Sequence, residues 1–192
     1  VWTNTNTQYK ISLLKKFFNL YDADPSDLVF YLKDDEEPDE DLAGTRYEVR
    51  LYYWKYALEF IHKTHGEGSF SNVSPSKQNW ISGFMGYSGF QLCCVANFDS
   101  ARMELYLGNS KKEINKKAYD YLLAKKSEIE TKLNAQLEWN RGDDIKSSKI
   151  YIQINEVSIG NENDWQKMAE FHASWSKKFY DVFVPYFAEM RL

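Results

Sequence analysis

The chain has 192 residues, of which 43% are hydrophobic and 17% aromatic, and it carries a formal net charge of −4 at pH 7. A chain of this length buries roughly 70% of its unfolded surface as a single domain, and its apolar content excludes disorder throughout. Seven of the negative charges lie between Asp34 and Asp41, so the remainder is about +3, a balance that permits nucleic-acid binding without advertising it.

Val1 to Gln8 is polar and rich in Thr and Asn, as fraying ends are. Ile11, Leu14, Phe17, Phe18 and Tyr21 recur at helical spacing and predict a helix over 9–20, followed by the turn Ala23-Asp24-Pro25-Ser26. Leu28 to Leu32 fits a short strand or a short helix. The acidic run reads as a solvated linker, since no oxygen-ligand loop pattern accompanies it. These segments form an N-terminal appendage, 1–43, ahead of a domain over 44–192. The sequence opens on Val1 rather than Met, which suggests a fragment of a longer protein with an N-terminal neighbour.

From Leu42 to His65 a helix is expected, with Val49, Tyr53, Tyr56, Ala57, Phe60 and Ile61 on its apolar face and Gly66 closing it. A Gly/Ser-rich loop follows, and Trp80, Ile81 and Phe84 form a short aromatic anchor. Gly89 to Asn97 is apolar or aromatic at nearly every position, as in a strand covered on both faces or nearly so. After a turn at Asn97 to Ser100, Met103, Leu105 and Leu107 alternate with Arg102, Glu104 and Tyr106, so the two runs pair as a hairpin.

Ser110, three residues before Glu113, has capping-box spacing and predicts one helix over 111–133, with Ile114, Ala118, Tyr121, Leu122, Ile129 and Leu133 on its buried face. Leu137-Glu138-Trp139 and Ile150 to Ile154 give a second hairpin across the loop at Gly142. The last helix, capped by Asn161 or Asn163, carries Trp165, Met168, His172, Trp175, Phe179, Val182, Phe183 and Tyr186 at helical spacing, and Pro185 should kink or end it. The fold expected is α+β: a four-stranded, mainly antiparallel sheet from two β-hairpins separated by a long helix, flanked by N- and C-terminal helices.

Cys93 and Cys94 are adjacent in a strand and point to opposite faces, which argues against a disulfide and for a reducing, cytoplasmic setting. No apolar run reaches about 18 residues and no signal-peptide layout is present, so no membrane partner is expected. His62 and His65 have no neighbouring Cys or His to complete a metal site, and His172 reads as a packing histidine. No catalytic residues, metal ligands or cofactor emerge. The run Gly83 to Gly89 fits neither a nucleophile elbow nor a phosphate loop, and the Glu130-Thr131-Lys132 match to a nuclease E-x-K falls on a helix.

What remains is a set of polar residues around the central hairpin. Arg102, Glu104, Lys126, Glu128, Glu130, Trp139 and Arg141 are expected to converge where strand, helix and second hairpin meet. The plainer reading is a salt-bridge lattice that fixes helix to sheet. The functional one is a mixed-charge groove with an aromatic platform for a base or a peptide, with Arg102, Glu104, Lys126, Trp139 and Arg141 as contacts.

Arg102 to Tyr106, Asn115-Lys116 with Tyr119-Asp120 and Leu122, Lys126 to Glu130, Leu137 to Trp139, Ser148 to Ile150, and Asp164-Trp165 with Phe179 and Phe183 resemble, in order and spacing, the prokaryotic domain of unknown function 4268 family. Tyr53-Trp54 and Asn79-Trp80 extend the match, which spans 46–186. The resemblance implies a C-terminal accessory module, often placed after a nuclease-like domain of the PD-(D/E)XK superfamily in proteins of DNA processing or defence against foreign DNA. It carries over no catalytic residues. The expectation is a non-catalytic module that contacts nucleic acid, DNA first, or a partner protein such as an N-terminal nuclease-like domain of the same chain. A homodimerising assembly module is the alternative, and an independent hydrolase the least favoured reading.

Overall fold

A computed structural model describes residues 40–66 and 68–190. The helix expected over 9–20, the element at 28–32 and most of the acidic run lie outside these residues. Helix α1 spans Glu40–His65, so the last acidic residues of the run, Glu40 and Asp41, belong to a helix N-terminus, where the backbone dipole favours negative charge.

The sheet has five antiparallel strands rather than four: β1 Trp80–Phe84, β2 Phe90–Ala96, β3 Ser100–Leu107, β4 Glu138–Asn140 and β5 Ser148–Asn155, in the order β1-β2-β3-β5-β4. The expected hairpins are present as the β2–β3 and β4–β5 pairs, and β5 joins them by pairing with β3. The additional strand is the stretch expected to be only an aromatic anchor, registered on β2 with Ile81 opposite Cys94 and Gly83 opposite Leu92. Strand position 83 is a glycine because the Phe70 ring packs so closely that a Cβ there would meet it at 2.6 Å.

The helix expected over 111–133 divides into α2, Lys112–Leu123, and α3, Lys126–Leu133. The halves serve different neighbours. Helix α2 packs on β3 and β5, whereas α3 packs on the last helix, and Lys125 turns the chain between them with φ −109° and ψ 14°. The cap also differs from expectation. Ser110 makes no helix-capping bond, the N-cap position is Lys111, and the Asn109 carboxamide accepts the Lys111 N–H at 3.0 Å.

Helix α4 runs Glu162–Glu189, with the Asn161 side chain accepting from the Asn163 N–H as expected of a cap. It passes through Pro185 without ending. The carbonyl that Pro185 leaves without a donor is that of Asp181, an exposed residue, so water can satisfy it. Helix α4 lies on β2 and β3, and α1 packs along it.

The core polar group that ties these elements together is His172, fully buried on α4. Its Nε2 lies 3.1 Å from the Val95 carbonyl of β2, so Nε2 carries the hydrogen and donates it. Nδ1 then accepts the Tyr53 hydroxyl of α1 at 2.8 Å. The expected packing histidine is therefore also a three-element tie. Burial lowers its pKa from 6.5 to about 4. Between these values the unfolded chain binds a proton that the folded one refuses, so stability falls as pH drops from 6.5 towards 4, by up to about 3 kcal/mol. Thermal melts across that range should show this slope, and His172→Gln, which keeps a donor and an acceptor, should flatten it. Equal slopes in the two proteins would refute the assignment.

Candidate functional site

Strand register sorts the side chains of the sheet into two faces. Leu92, Leu105, Ile150 and Trp139 align across one face, with Cys94, Met103 and Ile152 beside them, and these join α2 and α4, which pack on the sheet, in one core. The opposite face holds three rows. Trp80, Val95, Arg102 and Gln153 form the first, Ser82, Cys93, Glu104, Tyr151 and Glu138 the second, and Phe84, Gln91, Tyr106, Lys149 and Asn140 the third.

Over this face lies a cavity of about 400 Å³ lined by Asn79, Trp80, Gln91, Cys93, Val95, Arg102, Glu104, Tyr106 and Lys149. Glu104 is its charged floor, only 3% exposed. Its carboxylate meets the Arg102 Nη2 at 2.6 Å and the Lys149 ammonium at 3.3 Å, the partners that a buried charge requires. Each cation also rests against a ring: the Arg102 guanidinium lies 5.0 Å from the centre of Tyr151, and the Lys149 ammonium 5.8 Å from that of Tyr106. Two cations against one carboxylate leave the floor positive by one charge. Arg102 Nε is buried and has no hydrogen-bond partner among the described residues. Burial, with the Glu104 charge adding to it, pushes the Cys93 thiol up to about 12, so it stays protonated and is no nucleophile at neutral pH.

The residues expected to converge are thus divided. Arg102 and Glu104 line the cavity. Trp139 faces the helices instead, where its Nε1 donates to Glu130 at 3.1 Å, its ring meets Tyr119, and the Lys126 ammonium lies 5.8 Å from its centre. Glu130 also accepts the Leu137 N–H at 2.9 Å, so the glutamate of the E-x-K match anchors β4 to α3. Arg141 lies beyond the end of β4, paired with Asp120 of α2 at 2.8 Å and with Asp143. That guanidinium holds the Asp120 carboxyl below its usual range. Lys126, Trp139 and Arg141 therefore fix helix to hairpin, as the lattice reading supposed, whereas Arg102 and Glu104 belong to a groove.

Sequence reasoning passed over Lys149 and Tyr106 as contacts, although both occupy the Arg102 side of their alternating strands. It also passed over Lys116 as the residue that shapes the β4–β5 loop. The Lys116 ammonium, on a largely buried side chain, shares its three N–H groups among four acceptors, the carbonyls of Arg141, Gly142 and Ser147 at 2.5, 2.8 and 2.7 Å and the Ser148 hydroxyl at 3.0 Å. Asn115 beside it closes the neighbouring loop onto α2 through Asn109 and the Lys146 carbonyl.

The histidines of α1 are engaged structurally. His62 donates to the Phe70 carbonyl at 2.9 Å, and His65 contacts the buried Ser176, whose hydroxyl donates to the Ala173 carbonyl. Burial lowers the pKa of His65. Among the described residues, no group of three His, Cys, Asp or Glu side chains is placed to hold a metal ion, and no helix is long and apolar enough to cross a membrane. Cys93 and Cys94 are both free and buried, on opposite faces as expected.

A family model described as Domain of unknown function (DUF4268) matches residues 49–187. No curated protein and no solved structure matches the chain.

Lys116→Met keeps the side-chain length but takes the charged donor from three loop carbonyls, of which Arg141 keeps the Ser148 hydroxyl and Gly142 the Ile145 N–H. It should lower stability by about 2–4 kcal/mol, a fall of roughly 5–15 °C in melting midpoint for a chain of this size. Arg141→Ala, which removes an exposed pair, should move the midpoint far less. Equal shifts in the two variants, read by circular dichroism, would refute the role given to Lys116.

Proposed function

The chain belongs to the domain of unknown function 4268 family, and from that premise we propose that it is a binding module that holds nucleic acid against the sheet face opposite the described helices. The observation that carries this reading is the cavity in which Arg102 and Lys149 flank the buried Glu104 beneath Trp80 and Tyr106. Glu104 and the rings of Tyr151 and Tyr106 hold the two cations in place, so little side-chain freedom is lost when a phosphate replaces water. In the setting implied by the resemblance, the module presents DNA to a nuclease-like domain of the same protein. The chemistry of cleavage then belongs to that domain.

A second reading is favoured by one observation. Trp80 and Phe84 are 44% and 61% exposed on an edge strand, and paired edges of two copies would cover them. Light scattering across a concentration series separates the two: a constant monomer mass removes the dimer.

The nucleic-acid reading is tested by fluorescence anisotropy with a labelled oligonucleotide at low and moderate salt. The variant of choice changes Arg102, Glu104 and Lys149 to Gln together, because removing the cations alone leaves Glu104 buried and unpaired. Binding should weaken roughly tenfold or more, and its salt dependence should become shallower by about 0.7 in log–log slope for each lost phosphate contact to a single strand. Arg141→Ala should bind as the parent does. Affinity and slope unchanged in the triple variant would overturn the assignment.

A further inference from the structure

The sheet face opposite the described helices also bears on which form of nucleic acid it fits. Resting on the nucleic-acid reading above, we propose that this face takes a single strand, with unpaired bases stacked on Trp80 and Phe84, in preference to a duplex.

Three features of the face argue for it. Trp80 and Phe84 contact no other ring or cation among the described residues, yet both are exposed and stand in the same rows as Arg102 and Lys149. Free rings beside cations match a base beside its phosphate, and stacking on an aromatic ring requires a base whose face is open. In a duplex the base faces are closed by their neighbours, and only the edges are presented in the grooves.

The second feature is spacing. Trp80 and Phe84 are four residues apart along β1, about 13 Å at the rise of a strand. Phe84 and Tyr106 are two strands apart, about 10 Å across the sheet. Bases in a duplex strand repeat every ~3.4 Å. Rings at these separations are matched by a drawn-out strand with splayed bases and missed by a regular stack.

The third is charge. The cavity offers Arg102 and Lys149 against Glu104, and Glu138 adds a carboxylate at the far edge of the same face. Proteins that grip duplex DNA through its backbone make on the order of 6–10 phosphate contacts. A face with two cations gains too little from phosphates alone, so its affinity must come from stacking. The face is also a sheet with α2 and α4 behind it, and among the described residues no helix packs on it.

A second copy fits this face less well. The outer edge of β1 is partly occupied by the loop before it, because the Phe84 N–H donates to the Ser69 carbonyl at 3.1 Å. Face-to-face contact between copies would also bring the Arg102 and Lys149 pairs together.

The test uses the 192-residue chain and end-labelled 12-mers of oligothymidylate and oligouridylate, with a DNA hairpin of equal phosphate number, followed by anisotropy at several salt concentrations. Each single strand should bind at least tenfold tighter than the hairpin, with a log–log salt slope of about −1 to −2, the value for two phosphate contacts. The oligothymidylate and oligouridylate arms report whether deoxyribose or ribose is preferred. Trp80→Ala and Phe84→Ala, both at exposed positions, should each weaken single-strand binding roughly 5- to 150-fold, while Trp80→Phe, which keeps a ring, should retain most of the affinity. Hairpin binding equal to or tighter than single-strand binding would overturn the single-strand assignment and leave the nucleic-acid reading standing. Single-strand binding untouched by either alanine would overturn the stacking assignment. Binding of neither form would overturn both, and dimerisation abolished by the same alanines would then give the face to a second copy.

Discussion

Helices α2 and α4 bury one face of the sheet, with α1 and α3 packed on α4, and this one-sided cover governs the rest of the molecule. In a strand the side chains alternate, so once Met103 and Leu105 are committed to the helices, Arg102, Glu104 and Tyr106 must face away. The same phase carries through β5, where Ile150 points inward and Lys149 and Tyr151 outward. Two carboxylates, two cations and four rings meet on the side away from the described helices because the five strands are paired in one continuous register.

That cover depends on a few buried polar groups whose hydrogen bonds are complete. His172 touches three elements at once, and its neutral form is the one that fits between a carbonyl acceptor and a hydroxyl donor. Lys116 reaches from α2 into the β4–β5 loop and gathers three backbone carbonyls, among them that of Ser147, around one ammonium. Both act at long sequence separation. Removing either leaves polar atoms stranded in the interior, a larger cost than the loss of any exposed ion pair on this molecule.

The division of the expected site follows from strand length. Strand β3 has eight residues, and its alternation set the phase of Arg102 and Glu104 without ambiguity. Strand β4 has three, too few for a periodic signal, and Trp139 was assigned to the groove although it shares a face with Leu137 two residues before it. The apolar Leu137 was the available sign that Trp139 points inward. Strand β1 escaped for a related reason: five residues that include Gly83, under the Phe70 ring, do not read as a strand until the partner that pairs with them is known. The break at Lys125 was likewise hidden, because the apolar spacing from Ala118 to Leu133 suits a single helix, and only the separate positions of sheet and α4 require two.

By itself the sequence determined the α+β class, an antiparallel sheet, the long helices α1 and α4, the packing histidine and the membership of the family, because periodicity and motif order are local properties of a chain. It also placed Arg102 and Glu104 on a common polar face. Only the tertiary structure decided that β1 completes the sheet, that Lys149 joins Arg102 around Glu104, and that Trp139, Lys126 and Arg141 serve the helix side. Those facts depend on which strand lies beside which, and strand order is set by contacts between residues far apart in the chain.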